Sequence, residues 1–382
     1  LISISDKKYC SGCNACVQKC PKHCIKMVED EEGFLYPSVN KNECVDCGFC
    51  EKVCPVINAK EDKQKVAAYA AYANDDDIRM KSSSGGLFTL FADQILKDNG
   101  VVFGAAFDID FMVHHVAIES VEELSRLQGS KYLQSRIENT YQQAEQYLKS
   151  GRKVLFTGTA CQIAGLKQYL GKEYDLLYTV DVLCHGVPSP KVWKRYLNYQ
   201  EKYHGGAVTR TIFRQKEFGW KSYALKLQFS NSSAYEQIFQ KDLFMQMFLS
   251  NICLRPSCHA CKFKSLDRPS DITIGDSWGI GQYMPDMDDD KGTSVVLIHS
   301  EKGQKLFDLC ESEMLFKEAE VDKILPPTAD SRKSVAMHSG RKNFFKELND
   351  GSSILKLENV LKPSLLRRVL RKCKAVVKKM IR

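Results

Sequence analysis

The chain has 382 residues, enough for two or three domains with well-buried interiors. Its 43% apolar and 27% charged residues are those of an ordinary globular protein, and no run nears the roughly 20 apolar residues of a membrane-spanning helix. The net charge of +8 is matched by eight cations near the C-terminus (Arg367, Arg368, Arg371, Lys372, Lys374, Lys378, Lys379 and Arg382), so the body is near neutral, has no basic stripe and argues against a nucleic-acid enzyme.

The first element in chain order is Cys10-x-x-Cys13-x-x-Cys16-x-x-x-Cys20-Pro21, repeated as Cys44-x-x-Cys47-x-x-Cys50-x-x-x-Cys54-Pro55. This is the bacterial ferredoxin run for 4Fe–4S clusters, in which the fourth cysteine of each copy serves the other cluster. Cys10, Cys13, Cys16 and Cys54 are therefore expected at one cluster, and Cys44, Cys47, Cys50 and Cys20 at the second. Zinc sites pair two C-x-x-C halves without a third thiol, and disulfides suit secreted scaffolds, so neither accounts for two full copies. Cys24 reads as a small apolar filler. Ile25 to Val28 and Phe34 to Val39 form a hairpin between the loops. Residues 1–60 are thus an α+β ferredoxin-like dicluster module, and the charged stretch Lys60 to Lys65 is a linker.

Beyond it, strands and helices alternate as in an α/β domain. A strand is expected at Val66 to Tyr72, a helix at Gly86 to Lys97, a strand at Val101 to Phe107 and a helix over 137–149. Lys153 to Thr157 is an apolar strand turning through Gly158-Thr159-Ala160-Cys161-Gln162 into a helix. Asp175 to Leu183 is another strand, ending at Cys184-His185-Gly186, with Pro188-Ser189-Pro190 opening a further helix. If these two strands are parallel neighbours, both loops emerge at the carboxyl edge of the sheet, which cofactors favour. After a β-rich interval from Val208 to Phe229, Cys258-His259-Ala260-Cys261 adds two thiols. Cys161, Cys184, Cys258 and Cys261 would complete a third 4Fe–4S set. A zinc site or scattered buried cysteines is the alternative, and Cys253 competes with Cys161 as a ligand.

Taken together these segments resemble the beta subunit family of coenzyme F420 hydrogenases and dehydrogenases. The likeness rests on Ser83-Ser84-Gly85-Gly86, Gly129-Ser130-Lys131-Tyr132, Gly158 to Gln162, Cys184-His185-Gly186, Cys258-x-x-Cys261 and Asp271 to Gly279, in that order across about residues 66–300. Ala160 stands where the family usually has proline. The resemblance implies an α/β flavin- and iron–sulfur-binding domain, with 66–150 its N-terminal part and 151–340 its C-terminal part. It also implies FAD beside an iron–sulfur cluster, exchanging a hydride with a small donor or acceptor such as the deazaflavin, and electrons passed to a redox partner protein or ferredoxin. Some bacterial relatives are linked with cell-surface polysaccharide synthesis. The residues expected at FAD are Ser83, Ser84, Gly85, Gly86, Ser130, Lys131, Tyr132, Thr159 and Gln162.

Read from the residues alone, the Ser82 to Gly86 run before a helix either cradles a phosphate or is a plain serine cap with glycine spacers. No G-x-G-x-x-G fingerprint supports a nicotinamide Rossmann site. His185 either delivers a proton near the flavin or packs beside the cluster, while His114 and His115 read as structural. The C-terminal segment 341–382 ends in a basic amphipathic helix from Ser364, which would lie on an anionic membrane surface, on its own domain or on a partner. Sixteen cysteines without a signal-peptide pattern point to the cytoplasm. The expectation is an iron–sulfur flavoprotein oxidoreductase. The alternative is a non-catalytic electron-transfer subunit whose partner holds the substrate site.

Overall fold

The computed structural model describes residues 1–59 and 66–361. The linker at 60–65 and the helix expected from Ser364 lie outside the described residues. Strands in chain order are β1 (Ile25–Glu29), β2 (Leu35–Val39), β3 (Ala67–Ala73), β4 (Val101–Phe107), β5 (Val113–Ile118), β6 (Val154–Thr159), β7 (Leu177–Val182), β8 (Val208–Gln215), β9 (Ala224–Phe229), β10 (Ala234–Ile238), β11 (Ile272–Asp276), β12 (Ser294–Ile298) and β13 (Met314–Glu318).

The antiparallel pair β1–β2 joins the two cysteine runs, and Gly33 turns between them at φ +88°. The body is a mixed eight-stranded sheet in the order β13-β3-β12-β11-β7-β6-β4-β5. At its centre β4, β6, β7 and β11 run parallel, as near-continuous apolar stretches demand when both faces are covered. The antiparallel β8–β9–β10 sheet stands apart. Strand β12 is antiparallel to both β3 and β11, so β3 points the same way as the parallel set. The carboxyl ends of β3, β4, β6, β7 and β11 therefore share one edge. The Ser82–Gly86 run, Cys161, Cys184 and Trp278 all follow strands that end there.

The helix boundaries obey local chemistry. Thr159 and Gln162 form a reciprocal capping box on the Ala160–Leu170 helix, which Gly171 ends at φ +71°. Ser189 accepts from Val192 N at the start of the Pro190–His204 helix, with Pro190 at its first turn. The helix expected over 137–149 begins at Thr140, because Gln18 of the first cysteine run caps it: its Oε1 accepts from Tyr141 N at 3.1 Å and Gln142 N at 3.2 Å.

That cap is one of several ties between the N-terminal module and the body. Phe34 and Tyr36 enter the aromatic core of Trp193, Phe213 and Phe244, while Cys13, Ala15 and Val53 join the core of Val101, Tyr141 and Ile163. Arg341 forms a forked ion pair with Glu32, and Lys19 Nζ donates to Tyr169 O at 2.7 Å. Among the described residues no helix is long and apolar enough to cross a membrane.

Candidate iron–sulfur and redox site

The two cysteine loops share an unusual backbone. Gly12 and Asn14 have φ of +71° and +65°, and their counterparts Asp46 and Gly48 have +51° and +74°. Alternating left-handed residues turn successive N–H groups inward into a nest, the concavity that receives anionic clusters, and glycine, Asn and Asp tolerate this conformation best. Asn14 and Gly48 each open a four-residue helix, carrying Cys16 and Cys50 respectively.

Thiols expected together are brought together. Burial pushes Cys13 up to about 12, and neighbouring Cys10 and Cys54 push the same way. Burial also raises Cys16, with Cys13, Cys10 and Cys54 adding to it. Cys20, Cys44, Cys47 and Cys50 line a second concavity. Backbone N–H groups point at these sulfurs: Ile2 N donates to Cys50 Sγ at 3.3 Å and Asp46 N to Cys44 Sγ at 3.4 Å. Hydrogen bonds to ligand sulfurs are among the contacts by which a protein tunes an iron–sulfur cluster. Cys24 is buried in the core of the module, as a small apolar filler is, and its sulfur lies on the same concavity 3.4 Å from that of Cys20.

At the carboxyl edge of the sheet, Cys161, Cys184, Cys258 and Cys261 line one cavity. Strand β6 ends at Thr159, so the cap of the following helix sets Cys161 at the rim, its sulfur 3.2 Å from Thr159 Oγ1. The parallel neighbour β7 delivers Cys184. Gly186 has φ +148°, and a Cβ there would stand 2.8 Å from Leu254 and 3.3 Å from Cys258 Cβ, so glycine lets the Cys258 turn close in. Val187 N donates to Cys258 Sγ at 3.4 Å. Burial raises the Cys161 thiol well above its ordinary range, and Cys261, Cys184 and Cys258 raise it further.

Cys253 is fully buried in the aromatic core, with its carbonyl bonded to Ser189 N, and does not reach this cavity wall. No group of three or more His, Cys, Asp or Glu side chains suited to a single metal ion occurs among the described residues. A cube, with an iron at each thiolate, spreads its four ligands wider than one ion does. The nests, the sulfur-directed N–H groups and the converging thiols fit such cubes.

The residues expected at a flavin fall into three groups. Ser83, Ser84, Gly85 and Gly86 lie between β3 and the Leu87–Lys97 helix: Ser130 N donates to Ser83 Oγ at 2.6 Å, Ser84 Oγ to Thr293 O at 3.0 Å, and Gly85 N to Ser294 Oγ at 3.0 Å. Lys131 and Tyr132 follow Ser130. Lys131 Nζ donates to the carbonyls of Leu127, Gln128 and Gly129, and burial brings its pKa down to about 7. Tyr132 Oη accepts from Arg214 at 3.0 Å, and its ring meets Phe248. Thr159 and Gln162 have a structural duty as the helix cap, and only Thr159 also touches the thiol cavity. The Ser83–Ser130 bond joins the first two groups. The cation with only neutral acceptors suits an anionic diphosphate, whereas the serine run is already bonded within the fold.

His185 packs edge-on against Phe248, with Nε2 2.6 Å from Asn251 Oδ1, and burial lowers its pKa. Buried His115 lies between Ser135 Oγ and Thr157 O, and burial holds its pKa at about 4, so it is a neutral structural group. The sequence reading missed the buried cations around the thiols. Lys264 Nζ donates to His185 O at 2.8 Å and Asp330 O at 2.7 Å, Arg268 faces Asp181 at 3.6 Å, and Arg255 lines the cavity. Only Arg255 carried a signal, as a charge closing the apolar run Ile252-Cys253-Leu254.

Residues 9–58 match the model of the 4Fe-4S dicluster domain. Residues 68–140 match that of the N-terminal part of the coenzyme F420 hydrogenase/dehydrogenase beta subunit, and residues 151–324 that of its C terminus. Ferredoxins from Mycolicibacterium smegmatis and Saccharopolyspora erythraea are each 39% identical over 74 residues, which is 19% of this chain and 65% of theirs. The chain thus spans about two thirds of the length of those ferredoxins. A chain of the F420-reducing [NiFe] hydrogenase complex from Methanosarcina barkeri is similar at 18% identity and a TM-score of 0.47, over 76% of this chain and 92% of that one. The two matched halves cover most of the body behind the dicluster domain, and the chain belongs to the coenzyme F420 hydrogenase/dehydrogenase beta subunit family.

Proposed function

We propose that the protein is an iron–sulfur flavoprotein oxidoreductase, in which Cys161, Cys184, Cys258 and Cys261 hold a third 4Fe–4S cluster next to the two of the dicluster domain. The observation that carries this reading is the cavity whose wall joins those four thiols to Ser11 and Val56 of the ferredoxin loops. When bound, FAD would exchange a hydride as two electrons, and the cubes would carry electrons singly.

The chain's own residues set these sites in a row. The Ala160–Leu170 helix bears Cys161 in its first turn and meets Cys13 at Gly165, about 6 Å further along its axis. Cys13 and Cys16 belong to the first ferredoxin set, and the second set ends at Cys47, which is exposed. Lys131 and Tyr132 would orient the flavin, with Lys131 facing its diphosphate, and the Ser83 to Gly86 run would hold their segment through the Ser83–Ser130 bond. The exposed rim at Cys47 would meet an external carrier or ferredoxin. The name of the matched family supports a second reading, that the chain is an electron-transfer subunit whose partner binds the substrate.

The test is anaerobic purification of the full chain with iron, sulfide and flavin quantified, followed by titration with reduced deazaflavin, NADH, NADPH and reduced ferredoxin. About twelve irons per chain and bleaching of the flavin by one of these donors are expected. About eight irons would remove the third cluster. Full iron without bound flavin or any reaction would leave the subunit reading.

A further inference from the structure

Five arginines are buried among the described residues: Arg79, Arg214, Arg255, Arg268 and Arg341. Four face a carboxylate, of Asp289, Asp276, Asp181 and Glu32 respectively. Arg255 does not. Its Nε donates to Cys10 O at 2.9 Å, its Nη1 to Gln134 Oε1 at 2.8 Å, and its Nη2 to Leu35 O at 2.9 Å. Nη2 also points at Cys10 Sγ, 3.7 Å away, and the guanidinium lies 4.3 Å from the centre of the Tyr36 ring.

These acceptors are carbonyls, an amide and a sulfur, and the side chain has no exposed surface. A guanidinium stays charged in proteins, and a buried charge without a counter-ion is strongly destabilising. The loop is shaped around it: a Cβ on Gly12 would stand 3.0 Å from its Cζ and Nη1. Its backbone sits between the other ligand segments, with Arg255 N donating to Val187 O and Cys258 N donating to Arg255 O.

We propose that Arg255 is the built-in counter-charge of the cluster on Cys10, Cys13, Cys16 and Cys54, set between it and the Cys161, Cys184, Cys258 and Cys261 cavity, and that it raises that cluster's reduction potential. This rests on the cluster assignments above. Each one-electron reduction adds one negative charge to the cube with no proton required, and a cation donating to a ligand sulfur favours that form. Arg255 is a positioning and tuning residue.

The test is an EPR-monitored dithionite titration of the anaerobic full chain, comparing wild type, Arg255→Gln and Arg255→Lys at equal iron content. In Arg255→Gln one midpoint is expected to fall by about tenfold in the reduction equilibrium, which is 59 mV for one electron. The midpoint of the Cys20, Cys44, Cys47 and Cys50 cluster stays in place, and Arg255→Lys restores most of the loss. Unchanged midpoints, or an equal fall in all clusters, would overturn the proposal.

Should Arg255→Gln lose iron, wild-type protein labelled with 15N at the arginine guanidinium is examined by pulsed EPR. Nitrogen coupling to a reduced cluster is expected, and its absence overturns the proposal. Iron-free wild-type protein would show separately, before any variant is made, that the cluster reading has failed and this proposal with it.

Discussion

Cys20 and Cys24 face one corner of the second concavity, and their electrostatics differ in sign. Burial would raise Cys20, but the backbone N–H and thiol of Cys24 and the N–H groups of Lys22 and His23 outweigh it and lower its pKa. Burial, then Cys20 and Cys44, push Cys24 up to about 11. These opposed shifts favour ionisation at Cys20 over Cys24, and the two sulfurs lie within hydrogen-bond reach of one another. Cys24→Ala is expected to keep full iron content, while Cys20→Ala loses about four irons per chain. Iron analysis decides, and full iron in Cys20→Ala would move the ligand to Cys24. The spacing of the run made Cys20 legible. Nothing in it showed that Cys24, four residues on, returns to the same wall, because that depends on the turn leading into β1.

At the scale of elements, the Ala160–Leu170 helix joins two sites. Its order, a strand, a turn with Cys161, then a helix, could be read from the residues, while the parallel pairing with the strand that delivers Cys184 came from the structure. Its far face could not. Gly165 is fully helical, where alanine would ordinarily add about 1 kcal/mol of stability. Here a Cβ would lie 2.9 Å from Cys13 Cβ and from Tyr141 Oη, and 3.0 Å from Cys13 Sγ. Cys13 sits on a short loop whose backbone would have to move, so overpacking outweighs propensity. Gly165→Ala is expected to destabilise by about 1–3 kcal/mol and to reduce iron loading. Thermal denaturation with iron analysis checks this, and a higher melting temperature at full iron would contradict it.

For the whole molecule, the cores differ in what builds them. Eight buried residues form the separate core of the N-terminal module, and five are cysteines: Cys16, Cys20, Cys24, Cys50 and Cys54. The body has large aromatic and aliphatic cores of its own. Stripping iron with a chelator under reducing conditions should therefore expose residues 1–59 to protease well before 66–361 is cut. Mass-mapped limited proteolysis would show it, and simultaneous cleavage of both regions would mean that the shared contacts of Phe34, Tyr36 and Cys13 bind them into one cooperative unit.

The residues by themselves determined the two cysteine runs, the alternation of strands and helices, and the capped turns, because each depends on spacing or on local backbone preference within a few positions. They set Cys161 and Cys184 just after two apolar strands, and the structure made those strands parallel neighbours. Only the tertiary structure decided that Cys258 and Cys261 share their cavity while Cys253 turns into the core, and that the ferredoxin loops seat against the same helix. Only it set Arg255 against Cys10 without a carboxylate. These contacts join segments some seventy or more residues apart, where no periodicity reaches and burial selects the partners.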